Sequence, residues 1–476
     1  MFKKLCVISV ALLVACSSQV RRPDAPPSGT DPDQAPAPEI SQIVLYARSL
    51  GHSDTPIVWD IRKISLDRAD GSRVDISGTA VTLNLADLKR GQKLIGISGA
   101  EEGTYTGLSI FTRDVYFADT EESVPTETLV FRVEHDFTIV AGNTKSVFLL
   151  IDLPDPGDER SAFMFAPRLA MEDENPNPGG KLIYVANELS SNISVIDKQL
   201  RRVVYNVLVG TKPYTLAADQ RRYKLYIGDR KEGVIYEMDM LRQHLLRATQ
   251  IEYVDEPVHI EPVPTRDLLI VVNFGSDTIY IVDAFTLQII DAIEVDYDPV
   301  DAEYSESFDL VFVLSRYFGT ISVLGMKNDP VEVDTTLQVE LEPTGMAIDD
   351  NKGWLYITNS GSTDMSIIKI ESLGIEKTVP IGIGAGDIAF DPFGRRVYVA
   401  MTDTREILCV DPYTGVLEYS IGLPAPPGRL LFDDDEKTLY ACLPERNAVV
   451  AIDPLTRRIE NWIETGYGPS SIEARR

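Results

Sequence analysis

The sequence predicts an all-β chain: an N-terminal β-sandwich followed by a seven-bladed β-propeller closed by the C-terminal strand. Three observations carry this. A unit of about 42 residues recurs seven times over the last roughly three hundred, and a period in the forties with several short strands per copy marks a propeller rather than a helical solenoid. The stretch before the repeats alternates apolar and polar residues without sharing that unit. The chain also ends on the opening fragment of a repeat, which the first copy lacks.

The N-terminus comes first. Lys3 and Lys4 precede an apolar run from Leu5 to Val14, and Leu13-Val14-Ala15-Cys16 forms a small-residue cleavage site ahead of a cysteine. Ten apolar residues are too few to span the ~30 Å of a bilayer core. The pattern resembles the lipobox of bacterial lipoproteins. That resemblance implies that residues 1–15 are a signal peptide, that Cys16 is lipidated, and that the chain is anchored in the cell envelope. With no Asp beside Cys16, the outer membrane is favoured. Residues 16–39, with Pro23, Pro26, Pro27, Pro32, Pro36 and Pro38, cannot bury enough apolar surface to fold and read as a tether.

Composition excludes some partners. With 73 acidic against 45 basic residues the formal charge is −28, which opposes binding to nucleic acid and favours cations or basic proteins. Of four cysteines, Cys409 and Cys442 remain in the folded part. They lie in apolar strands, as buried free thiols do, and no CxxC or CxxCH pattern offers a redox dithiol or a haem attachment.

Residues 40–172 contain alternating runs such as Ile57-Val-Trp-Asp-Ile61, Tyr105-Thr-Gly-Leu-Ser-Ile-Phe111 and Ser146-Val-Phe-Leu-Leu-Ile-Asp152. Turns at Asp70-Gly71 and Ala141-Gly142-Asn143 separate them, which predicts a β-sandwich. The region resembles an uncharacterised sandwich domain of bacterial lipoproteins. Its His52 and His135 lack the spacing of a metal site. Residues 173–180, rich in Asn, Pro and Gly, read as a linker to the repeats at 181–476.

Each copy holds an aromatic or apolar anchor in a short run: Tyr184, Tyr226, Ile270, Phe312, Tyr356, Tyr398 and Tyr440. A partner run follows, usually ending in Asp, as in Ile193-Ser-Val-Ile-Asp197 and Ile279-Tyr-Ile-Val-Asp283. Leu355-Tyr-Ile-Thr-Asn359 and its counterparts resemble the YVTN-repeat family of propellers, over residues 181–476. The first copy has no Pro-led strand before Leu182, whereas Gly468-Pro-Ser-Ser-Ile-Glu473 is a Pro-led start with nothing after it. The tail is therefore expected to supply the innermost strand of the first blade.

Candidate site residues come from the turns that lead into innermost strands. Three consecutive turns are acidic and place Asp255, Glu256, Asp296, Asp298, Glu340 and Glu342 on one arc of the rim. Such hard oxygen ligands suit Ca²⁺ or a basic partner. Phe274, Arg316, Tyr317 and Phe318, with Tyr297 nearby, add an aromatic patch of the kind that anchors protein contacts. The propeller contains only His244 and His259, and the sequence shows no catalytic triad pattern, P-loop or dinucleotide fingerprint. The expected role is thus a lipid-anchored, non-catalytic platform that binds an envelope protein or polymer and needs no cofactor. The alternative is a metal-dependent lactonase or hydrolase in which His259 and rim carboxylates hold a cation.

Overall fold

The computed structural model describes residues 41–50, 56–76, 81–153, 160–175, 178, 180–251 and 256–476. Residues 1–40, which include the expected signal peptide, Cys16 and the expected tether, and also His52 and Asp255, lie outside the described residues. The described chain is all-β, its only helical pieces being three short 3-10 turns.

Two N-terminal sheets enclose one core. The first orders its strands Gln92–Ala100, Ser41–Ser49, Thr144–Asp152 and Arg168–Asp173; the second is built on Ile57–Arg68, Gly103–Phe117 and Val130–Ile139. Trp59 sits at the centre, its indole donating to Thr112 Oγ1 at 3.0 Å and its ring meeting Phe131 and Phe165 edge-on at 5.3 and 5.1 Å. Burying a Trp with its N–H satisfied adds apolar area without stranding a donor. The strand ending at Asp173 runs one residue into the expected linker, because Asp173 still pairs with Val147.

From Leu182 onward the chain forms seven four-stranded antiparallel sheets in succession, a propeller-like arrangement. The first uses 182–208; the others span 213–250, 257–294, 299–338, 343–380, 385–422 and 430–464. The fourth strand of the first sheet is Pro469–Ala474, paired antiparallel with Leu182–Asn187. The first and last ends of the repeat region are thereby joined.

Two repeated residues explain the regularity. An Asp ends the third strand in five of the seven sheets and caps the next turn: Asp239 Oδ1 accepts from the backbone N–H of Leu241 and Arg242 at 2.8 and 3.0 Å, and Asp197, Asp283 and Asp411 do the same. An Asp side chain mimics a turn in this way and fixes where the strand stops. The anchor tyrosines are fully buried, and Tyr184 and Tyr226 each donate to a carbonyl in the following sheet, Met240 O at 3.1 Å and Ala284 O at 3.2 Å. They thus pack one sheet and pin the next.

The N-terminal unit rests on the first and seventh of these sheets. Val44, Tyr46 and Phe148 share a core with Ile183, Val203, Val449 and Ile463. Around it, Arg48 donates to Val203 O at 3.0 Å, and Lys93 pairs with Glu464 at 2.7 Å. The fourth sheet lies across the ring from this contact.

Candidate functional site

The first strands of successive sheets neighbour one another in a closed cycle, with Pro469–Ala474 serving for the first sheet. Six of them open on Pro213, Pro257, Pro299, Pro343, Ala385 or Pro469, and the ladder slips just after the opening residue, for example between Pro257 and His259 and between Pro299 and Asp301; the seventh, Leu430–Asp433, follows Pro427 by three residues. A bulge of this sort re-aims side chains. Two residues past these five prolines and Ala385, and two past Pro427, stand Thr215, His259, Asp301, Gly345, Asp387, Ser471 and Arg429, one layer across the channel.

Four of them form a charged plug. His259 Nδ1 lies 2.8 Å from Asp301 Oδ1, and Arg429 Nη1 lies 2.8 Å from Asp387 Oδ1. Arg429 also reaches across the channel to within 3.8 Å of Asp301. These carboxylates stitch strands as well. Innermost strands have a free edge, whose N–H groups need partners. Asp301 Oδ2 accepts from Met346 N at 2.9 Å, Asp387 Oδ2 from Leu430 N at 2.6 Å, and Ser471 Oγ from Leu216 N at 3.1 Å, each in the next sheet. Gly345 lets its neighbour come close, since a Cβ there would sit 3.3 Å from Asp387 Cα.

Glu261, Glu303 and Glu473, two residues further along their strands, line a cavity of about 520 Å³ on one side of the plug. Burial and then the charge of neighbouring Glu261 push Glu473 up to about 7; burial and Glu261 likewise raise Glu303. Burial pulls His259 down, but Asp301 and Glu261 more than reverse this and hold it at about 10. At neutral pH it is an imidazolium, unable to act as a general base. Among the described residues, no three His, Cys, Asp or Glu side chains are placed to hold a metal ion.

On the other side of the plug a mouth of about 680 Å³ opens, its walls including Tyr214, Arg230, Phe274 and Arg316, with Asp387 and Arg429 shared between the two cavities. The expected acidic arc is partly spent on local contacts. Glu256 pairs with Arg230 at 2.7 Å, Asp296 accepts from Thr320 Oγ1 at 2.7 Å, and Glu342 takes a bond from Ser360 Oγ at 3.4 Å. Asp298 lies 3.9 Å from Arg316, and Glu340 is exposed.

The aromatic residues do come together. Tyr297, Tyr317 and Phe318 form a three-way cluster with ring centroids 4.8 to 6.2 Å apart, and remain 58%, 67% and 49% exposed. Phe274 is separate, half-buried under Arg316 at 5.8 Å. Gly319 adopts the left-handed conformation, and a Cβ there would lie 2.4 Å from Glu340 O, so only glycine lets the acidic loop abut the aromatic one.

No family model and no curated protein matches this chain. Solved structures do. The chain is similar to Kuenenia stuttgartiensis hydrazine synthase, at 14% identity and a TM-score of 0.52 over 58% of this chain and 93% of that one. A functionally unknown protein from Desulfotomaculum acetoxidans gives 12% and 0.55, over 62% and 98%. A candidate 6-phosphogluconolactonase from Bacteroides fragilis gives 12% and 0.53, over 63% and 99%. The chain has a β-propeller-like fold. At such identities the likeness extends to the fold alone, and function lives in the sites a fold carries.

The plug layer is not visible from His259 and the rim carboxylates alone, because Asp301, Asp387 and Arg429 come from three other copies. Superposing the copies on their strand-opening residue would have put His259, Asp301, Asp387 and Arg429 in one column.

Proposed function

We propose that this chain is a lipid-anchored platform of the bacterial envelope, on the outer membrane, in which a β-sandwich carries a closed seven-bladed propeller. Its propeller rim engages another envelope protein or polymer and does no chemistry. The observation that carries this reading is the exposed cluster of Tyr297, Tyr317 and Phe318. Aromatic residues of this kind supply most of the energy at protein interfaces. Asp296, Asp298, Glu340 and the exposed Leu341 border the cluster, so the complementary partner has an apolar centre and a basic margin. Sitting across the ring from the N-terminal unit, the cluster is free to meet it.

The hydrolase alternative has less support. It needs His259 as a ligand or base, and the pairing with Asp301 keeps that imidazole protonated.

A photoreactive residue at Tyr317, and at Leu455 on the opposite face as a control, tests the reading in intact envelopes. A discrete adduct at 317 that is absent at 455 supports it. Equal labelling at both positions, or none at 317, contradicts it.

A further inference from the structure

The mouth of the channel carries a second site of different chemistry. In a chain with a formal charge of −28, three arginines, Arg230, Arg316 and Arg429, line one cavity. Arg230 and Arg316 occupy equivalent places, each directly after the second strand of its sheet, and Phe274 holds that place in the sheet between them. The two arginine positions therefore flank that of Phe274, and both side chains line the same cavity. Arg316 lies 5.8 Å over Phe274, and Arg230 lies 4.9 Å over Tyr214.

These arginines are held but not used up. The loops are tied by backbone bonds, Arg230 N to Lys212 O at 3.0 Å, Phe274 N to Glu256 O at 2.9 Å and Arg316 N to Asp298 O at 2.8 Å. Glu256 takes only the Nε of Arg230, at 2.7 Å. Among the described residues the Arg316 guanidinium makes no hydrogen bond, and its ion pair with Asp298 is loose at 3.9 Å. Of the three carboxylates that line the cavity, Asp387 is answered by Arg429 at 2.8 Å and Glu188 by Lys212 at 3.4 Å, while Glu445 is exposed on the seventh sheet, away from the sheets that carry Arg230 and Arg316. Planar guanidinium forks suit oxyanions, and their neighbouring rings suit a flat apolar body.

We propose that the mouth binds a small organic anion, its carboxylate or phosphate held by Arg230 and Arg316 and its ring laid against Phe274 and Tyr214. Glu256 and Asp298, which the sequence suggested as cation ligands, act instead as positioning residues for the two arginines. The proposal does not rest on the role given to the aromatic rim cluster, although Asp298 borders both.

Calorimetric titration of the folded chain with phenyl phosphate, benzoate and inorganic phosphate tests this. Saturable one-to-one binding of phenyl phosphate or benzoate is expected, weakened about tenfold or more in Arg316→Ala, which is the loss of roughly one charge-assisted contact. Arg316→Lys should recover part of it. Phe274→Ala should weaken phenyl phosphate more than inorganic phosphate, and Tyr317→Ala should change neither. Thermal melts identify any variant that fails to fold, and Arg230→Lys then takes its place. No saturable binding of any of the three probes, or equal affinities in wild type and Arg316→Ala, overturns the proposal.

Discussion

Lys198 Nζ lies 2.7 Å from Asp433 Oδ1, with both side chains wholly shut off from solvent. The pair fastens the first four-stranded sheet to the seventh, beside the strand that joins the two ends of the repeat region. Stranding one member of a buried pair costs about 3–5 kcal/mol, whereas neutralising both costs far less. Lys198→Met should therefore destabilise strongly, and adding Asp433→Asn should restore most of the loss while keeping the acceptor for Glu436 N. Denaturant titration of the two variants measures this.

Removal of residues 469–476 should be more damaging still. It strips the edge of Leu182–Asn187, the bond from Leu216 N to Ser471, and the contacts of Arg475 and Gln220. At about 2–4 °C per kcal/mol for a domain of this size, losing several kcal/mol lowers the melting temperature by roughly 10 °C or more. A truncated chain that melts like the full one would contradict the closure.

Stability should fall as pH rises from about 5 to 8. Glu473 has a folded value of about 7 against 4.5 in the unfolded chain, so between those values the folded state holds a proton that the unfolded state releases. The groups facing it are Glu261, His259, Arg429 and Arg476. His259 acts in the same direction: its contribution is complete below 6.5 and is lost as pH climbs toward about 10. Glu473→Gln should flatten the slope of melting temperature over this range.

The proposed lipidation of Cys16 predicts that Cys16→Ser abolishes incorporation of labelled fatty acid and releases the chain from membranes. Fractionation with labelled palmitate checks both.

The repeat is legible because Tyr184, Tyr226 and their counterparts must be buried at fixed positions in every copy, and Asp197, Asp239 and Asp283 cap the turns that follow their strands, as Asp does in most copies. Register followed from the pleat. The tail's pairing with Leu182–Asn187 followed from counting strands. Contacts across the ring were not legible in the same way. Arg429 meets Asp301 over 128 residues of sequence, and nothing local in either strand announces it. The acidic turns misled for a related reason: Glu256 and Asp298 sit beside Arg230 and Arg316 only once loops from different strands are brought together.

The dissociation rate of the partner captured at Tyr317 tests the binding role of the aromatic rim most directly. Loss of a buried aromatic anchor acts mainly on that rate. With Tyr317→Ala the partner should leave about tenfold faster or more, and Glu340→Lys should slow its arrival without much change in its departure. Identical dissociation from wild type and Tyr317→Ala would contradict the claim that this cluster is the binding surface.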